Sequence, residues 1–287
     1  MTNRSPVTMA ESIAASFADL LHRYDAVLLD AYGVLVDLAG ALPGAAAWID
    51  TLNRLDKPYW LVSNTAARLP ESAARRYQGF GLAIPAERIL SSGMLLVPYF
   101  AEHGLAGQRV RVLGPEDSAV YAERAGGRLV GAGEEFDVLV LADQAGFPFL
   151  DGVDEVLSVL IDRFDAGQDV AMVLPNPDLI YPTGRGCGIT SGAMAVMLEA
   201  ALRQRYPERP APSFARLGKP YPGLFAEAVR LAGTRNVVMV GDQLDTDIVG
   251  ATRFGIDSAL VPGVLTGDRR RVGGVAPTYL LAPPGTP

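Results

Sequence analysis

The sequence predicts an α/β protein, a parallel sheet joined by crossover helices. Three observations carry that prediction. Short apolar runs alternate with segments of helical spacing along most of the chain, the pattern expected when helices connect parallel strands. Four of these runs are followed at once by a polar residue suited to chemistry: Asp30, Ser63, Lys219 and Asp242. The middle of the chain repeats the alternation on a smaller scale. At 287 residues there is room for one large or two modest domains.

Residues 9–23 have the apolar spacing of an amphipathic helix. Residues 27–30 read as a buried strand ending in the Asp30 carboxylate, with a glycine turn at Gly33. Pro43 opens a helix over 44–55, and a strand over 59–62 ends at Ser63-Asn64. Pro70 suits the first turn of a helix over 70–77. A helix over 93–103 follows Ser91-Ser92.

In the middle, strands over 109–113, 138–141 and 170–174 alternate with helices over 118–125 and 153–164. Pro175-Asn176-Pro177-Asp178 and Tyr181-Pro182-Thr183-Gly184 then make a proline- and glycine-rich loop, and residues 191–205 form a long helix. The last third reads as strand 214–217, helix 223–231, strand 237–240, helix 246–254 and strand 258–261. The Arg-, Gly- and Pro-rich tail after Thr266 is expected to be irregular.

About half of the residues (49%) are apolar and a fifth (20%) are charged, the balance of a soluble globular protein with a sizeable core. The net charge of −7 argues against a nucleic-acid partner, which needs a basic face. It leaves room for a small anionic substrate, because local charges and a metal offset the global field. Cys187 is the only cysteine, so no intrachain disulfide forms and a cytoplasmic location is expected. No apolar run approaches the ~20 residues of a membrane span. Glu11, Asp19 and Asp25 interrupt any basic-then-apolar leader pattern. Two histidines, His22 and His103, give no basis for a multi-histidine metal site or a Ser-His-Asp triad.

If the four strands share one parallel sheet, Asp30, Ser63, Lys219 and Asp242 converge at its carboxyl edge, where open α/β folds bind ligands. Two or three carboxylates with a main-chain carbonyl make a hard oxygen site suited to Mg²⁺. An aspartate there can attack phosphorus. A serine hydroxyl and a lysine ammonium can hold phosphoryl oxygens. Each position alone also has a structural reading. Asp30 suits an Asx turn, Ser63-Asn64 a helix cap, Lys219 a surface lysine, and Asp242 and Asp247 a turn and a helix start.

Together the motifs resemble the haloacid-dehalogenase superfamily. They are Asp30-x-x-Gly33-Val34-Leu35, Ser63-Asn64, Gly218-Lys219-Pro220 and Gly241-Asp242-x-x-x-Thr246-Asp247-Ile248. Further matches resemble its class IIA phosphatase branch, which includes 4-nitrophenylphosphatase-like and pyridoxal-phosphate phosphatases. They are Pro43-Gly44-Ala45, Ser91-Ser92-Gly93, Asn176-Pro177-Asp178, Gly250-Ala251, Gly255, Leu260-Val261 and Gly263-Val264. The likeness runs from about Tyr24 to Gly267.

The resemblance implies a Rossmann-like core over 1–104 and 187–287, with an inserted α/β cap over 105–186. It implies Asp30 as nucleophile, Ser63 and Lys219 on the phosphoryl group, and Asn64 orienting its neighbours. Mg²⁺ would be held by Asp30, the Tyr32 main-chain carbonyl, Asp242 and Asp247. The loop over 176–184, with Asp178 and Tyr181, would contact a small phosphorylated substrate. Relatives often pair through the cap, which implies a homodimer.

Tyr32 departs from the phosphatase pattern, Asp-x-Asp, whose second aspartate handles the protons. A phenol of pKa near 10 is a poor base at neutral pH. Slow or atypical phosphate-ester hydrolysis is therefore expected, unless another group supplies the proton. Two alternatives stand beside it. Dehalogenases resemble Asp-x-Tyr-Gly and need no acid, because halide leaves unprotonated. A member without turnover would keep the site only to bind a phosphate ligand.

Overall fold

The computed structural model describes residues 12–208, 210, 212–263 and 269–285. Its first half contains β1 (Ile13–Ala15), α1 (Phe17–Arg23), β2 (Ala26–Leu29), α2 (Ala45–Arg54), β3 (Tyr59–Ser63), α3 (Pro70–Gly79), β4 (Ile89–Ser91) and α4 (Leu96–His103). The middle adds β5 (Arg109–Leu113), α5 (Glu116–Arg124), β6 (Arg128–Leu129), β7 (Val138–Leu141), α6 (Phe149–Asp165) and β8 (Ala171–Leu174). Then come β9 (Ile180–Thr183), β10 (Gly186–Ile189), α7 (Ser191–Arg205) and β11 (Ala215–Arg216). The chain ends with α8 (Gly223–Ala232), β12 (Val237–Gly241), α9 (Val249–Phe254), β13 (Asp257–Leu260) and β14 (Tyr279–Leu281).

Two parallel sheets organise the molecule. The larger has the order β1-β14-β13-β12-β2-β3-β4. The smaller has the order β11-β8-β7-β5-β6. Strand side chains alternate between faces, so one buried run feeds two cores. In β2, Val27 and Leu29 join the cluster under α1 and α2, while Ala26 and Leu28 join the one under α8. In β7, Leu139 and Leu141 pack against α6 and α7, while Val138 and Val140 pack towards α4 and α5. This two-faced burial explains why these strands read as unbroken apolar runs.

The expected boundary at residue 186 falls inside the smaller unit. Met194, Ala195, Leu198 and Leu202 of α7 bury themselves against the β7–β8 face, and β11 pairs with β8. The helix α7 and the strand β11 thus build on the smaller sheet, because the apolar stripe of α7 matches that face. The two units also share α4, whose Leu96 and Phe100 pack with Tyr121 and Val138.

Four other expectations differ. The helix predicted over 9–23 is a strand and a shorter helix among its described residues, and residues 9–11 lie outside them. Ser16 and Asp19 form a capping box that starts α1 at Phe17, and residues 13–15 pair with β14 instead. The tail expected to be irregular supplies that partner, β14, while residues 264–268 lie outside the described residues. The proline-rich loop folds into the β9–β10 hairpin. Sequence spacing also missed the short strands β4 and β6.

Candidate active site

The carboxyl ends of the two sheets face each other across a cleft of about 660 Å³. From the larger sheet come Asp30 after β2, Ser63 at the end of β3 with Asn64 beyond it, and Gln243 after β12. From the smaller come Asp117 after β5, Asp143 after β7, and Asn176 and Asp178 after β8. Lys219, beyond β11, reaches in between. Parallel sheets expose loops and unpaired main chain at this edge, which is why chemistry collects there.

Asp30 is buried, and its main-chain N–H donates to Val240 O at 2.8 Å, continuing the sheet. Its Oδ1 accepts from Ala31 N at 2.8 Å and from Lys219 Nζ at 2.9 Å. Oδ2 takes no hydrogen bond among the described residues. One oxygen is clamped and the other is free to react.

Lys219 is only 2% exposed, which rules out the surface-lysine reading. Its ammonium also donates to Val62 O at 2.8 Å and to Asp247 Oδ1 at 2.7 Å. All three protons are used. Burial works against the charge, but Asp247 and Asp30 more than offset it and hold the pKa above that of a free lysine. Asn64 fixes the backbone around it. Its Oδ1 accepts from Lys219 N at 2.7 Å, and its Nδ2 donates to Lys219 O at 2.9 Å and Asp178 Oδ1 at 2.8 Å. Neither Ser63 nor Asn64 caps α3, whose N-cap is Leu69.

Below Asp30 lie Asp242 and Asp247, both buried. The three aspartates bring carboxylate oxygens within 4.8 Å of one another. Gly33 and Gly263 leave room for Asp242, and Gly241 for Asp247; a Cβ at any of them would collide with the carboxylate. Asp247 serves two ends, because its Oδ2 also accepts from Gln243 N at 3.1 Å and fixes the turn over Leu244–Ile248. Burial, with Asp30 and Asp247 nearby, pushes the Asp242 carboxyl up to about 9. Burial also lifts Asp247 to about 7, against the pull of Lys219. The three carboxylates make an all-oxygen donor set that suits a hard divalent cation such as Mg²⁺, with the Lys219 ammonium bonded to Asp30 and Asp247.

The structure gathers every residue singled out from the sequence. Asp30, Tyr32, Ser63, Asn64, Asp178, Tyr181 and Lys219 line the cleft, with Asp242 and Asp247 beneath. Tyr181 also packs on Gly188 across the hairpin. The Tyr32 phenol is held above its ordinary pKa, first by burial and then by Asp37. Asp37 itself is engaged in a turn, accepting from Ala39 N and Gly40 N. Sequence reasoning missed Arg68, Arg76, Asp143 and Gln144, which also line the cleft. They belong to no motif, and only the facing of the two sheets brings them in.

Residues 27–128 match the haloacid dehalogenase-like hydrolase family, and residues 216–282 match a second description, HAD-hydrolase-like. A crystal structure from Cytophaga hutchinsonii, described as a possible sugar phosphatase of the HAD superfamily, is 31% identical with a TM-score of 0.79. The match covers 94% of this chain and 98% of that one. The chain belongs to the haloacid dehalogenase-like hydrolases. Dihydroxyacetone phosphatase from Corynebacterium glutamicum is 26% identical, covering 84% of this chain and 82% of its own. Glycerol phosphate phosphatase from Mycobacterium tuberculosis, solved in complex with magnesium, is 26% identical with a TM-score of 0.73, covering 91% and 75%. Two solved 4-nitrophenylphosphatase-type structures, at 24% and 22% identity, share the fold. Among the described residues, no helix of this hydrolase is long and apolar enough to cross a membrane.

Proposed function

We propose that this chain is a Mg²⁺-dependent phosphomonoester hydrolase that acts on a small phosphorylated metabolite through a phospho-aspartate. The observation that carries the reading is the cluster of three buried carboxylates whose oxygens lie within 4.8 Å of one another, with Lys219 clamping Asp30 and Asp247. Such a site favours a divalent cation and, with it, a dianionic phosphoryl group. The phosphatase names of the relatives support the same class.

Asp30 Oδ2 is the attacking atom, since Oδ1 is held by Ala31 and Lys219. Ser63 and Lys219 bind the phosphoryl oxygens, the lysine exchanging one of its three present acceptors for the substrate, and Asn64 fixes its backbone. Asp30, Asp242, Asp247 and the Tyr32 carbonyl would hold Mg²⁺, which when bound offsets the charge on those oxygens. Asp178 and Tyr181 face the rest of the substrate from the opposite side of the cleft. The same crowding of carboxylates disfavours a metal-free dehalogenase, whose halo-acid substrate is itself an anion.

Tyr32 does no proton transfer in this reading. Its phenol is neutral at working pH, and an unactivated ester relying on it would turn over ~10²–10⁴-fold more slowly. The test is 4-nitrophenyl phosphate hydrolysis with Mg²⁺ and with EDTA. Activity with the metal and its loss on chelation are expected. Equal rates in both would sink the proposal.

A further inference from the structure

Phosphoryl transfer through Asp30 needs a proton donor for the leaving oxygen and then an acceptor for a proton of water. Tyr32, a phenol that burial holds neutral, is a poor acceptor for the proton of water, and Asp37 is turned into its own loop. The remaining carboxylates lining the cleft, apart from Asp30, are Glu116, Asp117, Asp143 and Asp178. Glu116 is exposed at the start of α5. Asp117 Oδ2 accepts from Leu69 N at 2.9 Å, and Asp143 Oδ1 accepts from Ala145 N at 2.9 Å. None of these three has a hydrogen-bonded link to Asp30 or Lys219 among the described residues.

Asp178 has one. Its Oδ1 accepts from Asn64 Nδ2, the same amide that holds both main-chain groups of Lys219. Its Oδ2 takes no hydrogen bond among the described residues, and the side chain lines the cleft. Asp178 stands just past β8, on the sheet edge that faces Asp30. Asn176 Oδ1 accepts from Asp178 N at 3.1 Å and anchors the backbone there.

We infer that Asp178, from the smaller unit, is the catalytic acid and base that Tyr32 is not. This rests on the phosphatase reading above. In the first step Asp30 Oδ2 bonds to phosphorus. The bond from phosphorus to the leaving oxygen breaks, its electron pair stays on that oxygen, and Asp178 delivers the proton. In the second step water bonds to phosphorus while Asp178 removes one of its protons. The bond to Asp30 breaks, its pair returns to the carboxylate, and inorganic phosphate leaves with Asp178 protonated again. Burial lifts the Asp178 carboxyl to about 6, so both forms are populated near neutral pH.

The test compares kcat/KM for glycerol phosphate and 4-nitrophenyl phosphate in Asp178→Asn. The isosteric amide keeps an oxygen for Asn64. Because kcat/KM covers only formation of phospho-Asp30, nitrophenolate should leave without help while glycerol should not. The ratio of the two values is expected to fall roughly 10²-fold. As a ratio within one sample, it is insensitive to partial unfolding. Asp178→Asn should also give a burst of nitrophenolate equal to the enzyme, as unhydrolysed phospho-Asp30 accumulates. Adding Tyr32→Asp to Asp178→Asn should restore the ratio. An unchanged ratio in Asp178→Asn with no burst overturns the inference, as does a drop in Asp143→Asn instead. Inactivity of the unsubstituted enzyme on both esters with Mg²⁺ overturns the phosphatase reading itself.

Discussion

The two sheets each carry a cluster of acids and bases, at opposite edges and with opposite charge balance. At the carboxyl edge of the larger sheet, Asp30, Asp242 and Asp247 cluster beside Lys219, the one ammonium among the described residues there, which bonds Asp30 and Asp247. At the amino edge of the smaller sheet, Asp137 and Glu135 meet two guanidiniums, Arg109 and Arg163. Asp137 accepts from Arg109 Nε at 2.9 Å and from Arg163 at 2.8 Å. The hydrogen bond from Arg109 holds its carboxyl down at about 2, whereas Asp242 is pushed up to about 9. A balanced cluster needs nothing more from outside. An unbalanced, buried one is built to receive positive charge. The two clusters thus shift their acids in opposite directions.

The sharpest way to break this contrast is Asp30→Asn. It should lower phosphatase activity by roughly 10³-fold or more, because it removes the carboxylate proposed to attack phosphorus. Full activity in a 4-nitrophenyl phosphate assay would show that the cluster is not the reactive one. Next is Lys219→Met. Removing the ammonium that bonds Asp30 and Asp247 leaves two buried acids without their described cation, which costs about 3–5 kcal/mol. Denaturant melts in EDTA should show that loss, and added Mg²⁺ should recover part of it.

Acidity tests the same contrast. The folded-state pKa values of Asp242 and Asp247 are raised, so their stabilising share is complete below the ordinary carboxylate range near pH 4. It is lost as pH rises through about 7 and about 9. The melting temperature in EDTA should therefore fall between pH 5 and 9. Mg²⁺ displaces those protons, and at saturation should add roughly 5–10 °C at the alkaline end and little at pH 5. A metal shift that does not grow with pH would contradict the buried acid cluster.

The smallest effect is expected from Asp137→Asn. Its lowered pKa stabilises the fold above the unfolded carboxylate value near pH 4 and stops doing so as pH falls through about 2. The group is partly exposed, so its loss should cost about 1 kcal/mol, with activity and metal response unchanged.

Much of the site was legible because of where the strands stop. Asp30, Ser63 and Asp242 each end or follow an apolar run, and β2, β3 and β12 carry them to one edge. Local sequence shows that much, since strand length and direction follow from short-range pattern. The pairing of β1 with β14 was not legible. Ile13-Ala14-Ala15 suits a helix by itself, and its partner lies more than two hundred residues away. The β9–β10 hairpin hid behind Pro182 and its glycines, which read as loop; proline is tolerated because the hairpin stands apart with free edges. Asp178 was seen as part of a motif. Its placement opposite Asp30 depends on two sheets facing each other, which no local window contains.

Asn64 gives one amide two duties. It clamps both main-chain groups of Lys219, and it holds Asp178 from the other unit. Drawing the two units apart breaks the bond to Asp178 at the centre of the cleft. Loss of Asn64 would unseat Lys219 and Asp178 together.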